Sequence, residues 1–133
     1  MATIDRKVRE FSDLDMLFSA HPFNRDVTRK FDIEAIKASV KNLILTKNYE
    51  RPFHPEIGCQ VHALLFENFS SVTKSVAEKT IVDVLTRFEP RIRLINVEVK
   101  ESNDENEFIV DIVFAPTNSD RPITVTTTLS RAR

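Results

Sequence analysis

His54, Cys59 and His62 fall within nine residues, and Cys59 and His62 have a three-residue offset that puts both on one helical face. A zinc site would need a fourth ligand, for which Glu56 or Glu67 would have to serve, and no paired ligand motif of zinc-site spacing accompanies them. The same Cys and His could act as thiol nucleophile and base, but nothing in the spacing sets the base against the sulfur. A buried Cys59 beside locally bonded loop histidines is the simpler expectation, with no metal. Acids offer a second chemistry. Glycoside hydrolysis needs two carboxyls about 5 Å or about 6.5–9.5 Å apart, one of them with a raised pKa. Glu56, Glu67 and Glu89 lie near loop or helix ends, yet 20 Asp and Glu in 133 residues make a chance pair easy to find. Little chain remains to build a sugar groove. No catalytic residue, cofactor or small-molecule substrate is assigned.

Arginine gives a clearer signal. Glu89-Pro90-Arg91 sits where a long helical pattern hands over to a strand pattern. A proline-fixed corner holds one acid and one planar guanidinium in a rigid relation, suited to bidentate contact with a partner. The alternative is an internal Glu89–Arg91 pair that only holds the corner. Arg51-Pro52-Phe53-His54-Pro55-Glu56-Ile57-Gly58-Cys59 is similar in kind. Two prolines three residues apart forbid regular helix, and they push Arg51 and His54 toward extended backbone. Gly58 permits a close approach or a positive φ. This loop either caps the core through Phe53 and Ile57 or presents a fixed surface for interaction. A third feature needs no side-chain chemistry. Ile123, Val125, Thr127 and Leu129 alternate with polar residues near the chain end, followed by the basic Ser130-Arg131-Ala132-Arg133. Such a strand at a sheet edge could pair with a strand of another protein, or the basic tail could shield that edge.

The elements that position these residues read as α+β: about three helices packed on a small, mainly antiparallel sheet. Phe11–Ala20 gives a weak strand signal, and His21–Lys30 reads as loop. Ile33, Ile36, Val40, Leu43 and Ile44 form one stripe of a helix from Asp32 to about Thr46. A short helix places Val61, Leu64 and Leu65 inward. A longer one runs to Phe88, with Val76, Ala77, Ile81, Val84, Leu85 and Phe88 inward and a capping box at Ser75 and Glu78. Three strands follow. Ile95, Val97 and Val99 face inward on the first, and Phe108–Phe114 is apolar on both faces, as a central strand is. Ile123–Leu129 is the third, with polar turns at Ser102–Asn106 and Pro116–Pro122. The expected organisation is a single domain over residues 1–133, with residues 1–30 an N-terminal arm that can add one strand.

Composition narrows the function classes. There is one glycine where about nine would be usual, so phosphate-cradling and dinucleotide-binding loops are excluded. Lys+Arg 19 against Asp+Glu 20 lacks the basic surplus of a nucleic-acid binder. No apolar run approaches the ~20 residues of a membrane span, and Met1–Arg9 has no apolar stretch behind its charges to make a secretory signal. A single cysteine forms no internal disulfide, which suits a reducing compartment such as cytoplasm.

Tyr49–Cys59 and Phe88-Glu89-Pro90-Arg91-Ile92, about 30 residues apart, together resemble the motif pair of a known family. It is the baseplate wedge, or sheath-initiator, family of contractile-tailed phages, the gene-twenty-five-product family. It includes a baseplate component of type VI secretion systems, and some members carry a lysozyme label. The likeness spans Ile33 to Leu129. It implies a structural virion protein of the tail baseplate, assembled in host cytoplasm, beside the tail tube and in contact with other wedge proteins and tail-sheath subunits. Glu89, Pro90 and Arg91 would anchor to the wedge helical bundle, with Arg51, Pro52, Phe53, Pro55, Glu56 and Gly58 as a second contact. The edge at Ile123, Val125, Thr127 and Leu129 would template sheath polymerisation by strand addition. A lysozyme-like hydrolase is the alternative from another class.

Overall fold

The computed structural model describes residues 11–103 and 107–130. The chain divides into two compact units, Met1–Ala38 and Ser39–Arg133. In the first, β1 (Ser12–Leu14) pairs antiparallel with β2 (Arg29–Phe31). The weak alternation after Phe11 thus yields three strand residues, and the segment expected as loop runs into a second strand. β1 and β2 form their own sheet rather than adding to the C-terminal strands. Asp15 ties this hairpin together. Its carboxylate accepts from Ser19 Oγ at 2.6 Å and lies 3.1 Å from Lys30 Nζ, while its N–H donates to the Thr28 carbonyl at 2.9 Å. Ser19 and then Lys30 hold that carboxyl below the usual aspartate range.

α1 (Asp32–Leu45) starts where the sequence predicts. Ala35, Ile36, Val40, Leu43 and Ile44 are buried. Ile33, in the first turn, stays 44% exposed, so the inward stripe begins one turn later than its spacing suggests.

The second unit contains α2 (Val61–Leu64), α3 (Ser71–Phe88) and a sheet of β3 (Ile92–Glu101), β4 (Glu107–Pro116) and β5 (Ile123–Ser130), all antiparallel in that order. α3 begins before the expected Ser75–Glu78 box. Ser70, in extended backbone, accepts the Thr73 N–H on its Oγ at 3.1 Å and caps the helix there. Ala77, Ile81 and Leu85, four apart, are fully buried. Val76 stands one position, about 100° of helical turn, off that line and is left exposed.

β3 departs from simple alternation. Its register shifts between Leu94 and Asn96, and the bulge turns Ile95 outward, so only Val97 and Val99 of the expected inward set are buried. β4 is the central strand, with Phe108, Val110, Ile112 and Phe114 buried on one face and Ile109 and Val113 half-buried on the other. Leu129 of β5 joins the same core. Each such side chain contributes about 1.5–3 kcal/mol by leaving water. Residues 104–106 at the end of the Ser102–Asn106 turn, the 131–133 tail and the first ten residues of the N-terminal arm lie outside the described residues.

Candidate functional site

The corner after α3 is held by an ion pair. Glu89 ends the helix, its N–H still donating to the Leu85 carbonyl at 3.0 Å. Its side chain is only 2% exposed. Arg91 grips the carboxylate with both arms, Nε to Oε1 at 2.6 Å and Nη2 to Oε2 at 2.9 Å, and Ser39 Oγ donates to Oε2 as well. Burial alone would push the Glu89 carboxyl up. The Arg91 and Ser39 hydrogen bonds and the Arg91 charge outweigh it, leaving the carboxyl below the usual glutamate range. The pair closes within the molecule, so the surface of this elbow is Pro90, which is exposed, and the solvent-facing fringe of Arg91. The Arg91 carbonyl also accepts the Thr117 N–H at 2.9 Å, stitching the elbow to the turn after β4. Arg93 reaches Asp120 in that turn at 3.1 Å. Ser39 lies 50 residues from Glu89, and no local sequence signal links them.

The loop before α2 is rigid and outward-facing. Gly58 makes it possible: a Cβ there would lie 2.7 Å from the Lys47 carbonyl carbon and oxygen and 2.8 Å from the Asn48 nitrogen. That close approach lets the Cys59 N–H donate to the Thr46 carbonyl at 2.8 Å and the Tyr49 N–H to the Pro55 carbonyl at 3.0 Å. Tyr49 and Phe53 both carry φ of 67, left-handed backbone that costs a non-glycine residue free energy and persists only where neighbours enforce it. Arg51, Pro52, His54, Pro55 and Glu56 are exposed, and Phe53 is 97% exposed. Phe53 therefore does not cap the core. Ile57 is half-buried and Gly58 fully covered.

The third element is the margin of β5. β5 is hydrogen-bonded to β4 alone among the described strands. Val99 of β3 gives its N–H to Glu78 rather than to β4, so Val99 and its partner Val110 face away from each other. Alternation along an antiparallel ladder then aims Val110 at β5, and Thr127 opposite it at β4. Ile123, Val125, Thr127 and Leu129 thus spend their backbone groups on β4. Thr124, Thr126, Thr128 and Ser130 aim theirs at the open margin. All four are exposed, while Thr127 and Leu129 are buried. The side-chain alternation was legible in sequence; the backbone phase was not.

The residues weighed for metal and hydrolytic chemistry are dispersed into local roles. His54 Nδ1 sits 3.2 Å from Glu56, His62 Nε2 sits 3.0 Å from the Ile44 carbonyl, and Cys59 is fully buried, which pushes its thiol up. Among the described residues no three potential metal ligands converge. Glu56 is held below the usual range by its own backbone N–H and then His54. It therefore shifts the same way as Glu89, opposite to what a general acid requires.

Comparison with known proteins agrees with this geometry. The family model for baseplate wedge protein gp25 matches residues 32–119. The baseplate wedge protein gp25 of Enterobacteria phage T4 is 35% identical over 105 residues, 79% of either chain. A putative tail lysozyme of Geobacter sulfurreducens superposes with a TM-score of 0.67 at 22% identity, covering 74% of this chain and 89% of that one. A chain of the anti-feeding prophage baseplate gives 0.66 at 20% identity, over 92% and 87%. One from the post-contraction pyocin R2 baseplate gives 0.57 at 20%, over 92% and 100%.

Proposed function

This chain belongs to the baseplate wedge gp25 family, and from that premise we propose how it holds its place and what it offers to the next layer. It is a structural baseplate component of contractile-tailed phages or related tail-like particles. The proposal concerns its two working surfaces. The elbow at Pro90 and Arg91, with the rigid loop from Arg51 to Glu56, seats the protein against other wedge proteins. Glu89 and Gly58 serve from beneath, one by fixing the guanidinium and the other by fixing the loop. The β5 margin then pairs with an extended segment of a tail-sheath subunit and sets the register of the first sheath ring, near the tail tube.

The observation that carries this reading is the run of outward backbone groups at Thr124, Thr126, Thr128 and Ser130, which no other described strand pairs with. Each added hydrogen bond stabilises by only about 1 kcal/mol net. Four outward residues per subunit therefore give a weak contact that becomes firm when several subunits act together around a ring.

Thr128→Pro tests it. Proline deletes an outward N–H while leaving the bonds to β4, and edge positions tolerate it. Baseplates carrying a folded Thr128→Pro protein should assemble normally but nucleate few sheaths, whereas Thr128→Val should behave as the parent. Normal sheath number and length on Thr128→Pro baseplates, counted by electron microscopy, would overturn the templating role.

A further inference from the structure

A three-stranded sheet has two margins, and this one treats them differently. Along β3, the Val99 N–H that points away from β4 is taken by Glu78 Oε1 at 3.1 Å. Lys74 Nζ stands 3.7 Å from Glu78 and 4.0 Å from Glu98, adding charge beside the same margin. The bulge at Leu94/Asn96 kinks the first half of the strand, and α3 packs against it. Charges, bulges and a covering helix are devices by which sheets refuse a further strand. Along β5 none of them is present among the described residues. Its register is unbroken, and Ile123–Ser130 contains no charged residue and no proline.

The β3 side has reason to be guarded. Between α3 and β3 lies a groove of about 840 Å³ whose walls include Val82, Leu94 and Ile95, with Glu78 and Lys79 among them. An extended segment would find both a trough of mixed polar and apolar walls for its side chains and a backbone margin to pair with.

We propose that Glu78 is a specificity-determining gatekeeper. It closes the β3 margin to strand addition, so that an incoming extended protein segment is accepted at β5 alone. A competing strand would have to displace a charge-assisted hydrogen bond and leave the Glu78 carboxylate without it. This rests on the reading of β5 as the accepting margin, and it adds a reason why sheath could be added in one direction only.

Amide hydrogen exchange on the full chain tests the gate. In Glu78→Ala, Val99 should exchange about tenfold faster or more, the effect of losing a hydrogen bond to a charged group. Glu78→Gln keeps an accepting oxygen and should remain near the parent. As concentration is raised, Glu78→Ala alone should self-associate, with exchange slowing at Val97, Val99 and Glu101. The proposal is overturned if Val99 exchanges no faster in Glu78→Ala. It is equally overturned if Val99 is released but β3 gains no concentration-dependent protection. Failure of the β5 reading would show in the Thr128→Pro baseplates instead, where Val99 is untouched.

Discussion

Replacing Arg91 by alanine should destabilise the protein far more than an ordinary surface change, and the size of the loss follows from what remains. Glu89 is 2% exposed, and without the guanidinium it would keep the Ser39 hydroxyl and the backbone N–H of residue 91 but no neutralising charge. Removing one partner of a buried ion pair costs about 3–5 kcal/mol, because the other charge is left in a low-dielectric site. For a chain of this length that is a fall in Tm of about 12–20 °C. Glu89→Gln leaves no stranded anion, and Arg91 keeps partial access to water, so its cost should be nearer 1–3 kcal/mol. The double variant should then be more stable than Arg91→Ala alone. The pH dependence has a definite sign. The folded carboxyl lies below its unfolded value near 4.5, so the pair stabilises fully above that pH and is lost as pH falls through the folded value. Urea unfolding of the parent, both singles and the double, at neutral pH and down through the acid range, gives every quantity needed. An Arg91→Ala loss under 1 kcal/mol, or a gap to the parent that does not shrink in acid, would refute the account. The result also governs how assembly assays are read: an Arg91→Ala protein that fails in baseplates has first to be shown folded.

Gly58→Ala drives a methyl into the Lys47–Asn48 backbone and should cost about 2–4 kcal/mol, with faster exchange at the Cys59 and Tyr49 amides. A melting temperature within 1–2 °C of the parent would refute the close-approach argument. Thr127→Val replaces a buried hydroxyl that has no hydrogen-bond partner among the described residues by a methyl of the same shape, and should stabilise by about 1 kcal/mol in the same urea assay. A loss of stability there would mean that Thr127 Oγ1 is satisfied in solution.

Much of this architecture is written in short-range patterns. The helix from Asp32, the stripe Ala77–Ile81–Leu85, the doubly apolar β4 and the alternation of β5 all follow from spacing. The failures are local. Ile95 looks like the first inward residue of β3 until the bulge turns it out, and Val76 is apolar but stands one position off the Ala77–Ile81–Leu85 line. The elbow was legible as a rigid acid–arginine corner. Which way its charges point was not, because Ser39 and the burial that draw Glu89 inward come from distant chain.

Acids also shape the sheet, and one of them, Asp111, helps decide what the β5 margin displays. On the exposed face of the sheet, Asp111 accepts from Lys100 of β3 at 2.9 Å and from Thr126 of β5 at 2.7 Å, and Lys100 also reaches Glu98 at 3.2 Å. Lys100 and then Thr126 hold the Asp111 carboxyl below its usual range. The ladder therefore crosses all three strands at one point. A slip of β5 by one residue would break the Thr126 contact and turn Leu129 out to solvent. It would also exchange the backbone groups aimed outward for those now given to β4. Core burial and surface ladder thus select the same register, and with it the set of amides and carbonyls that an added strand would meet. The proposed templating would need that redundancy, because a margin free to slide would offer an added strand two incompatible alignments.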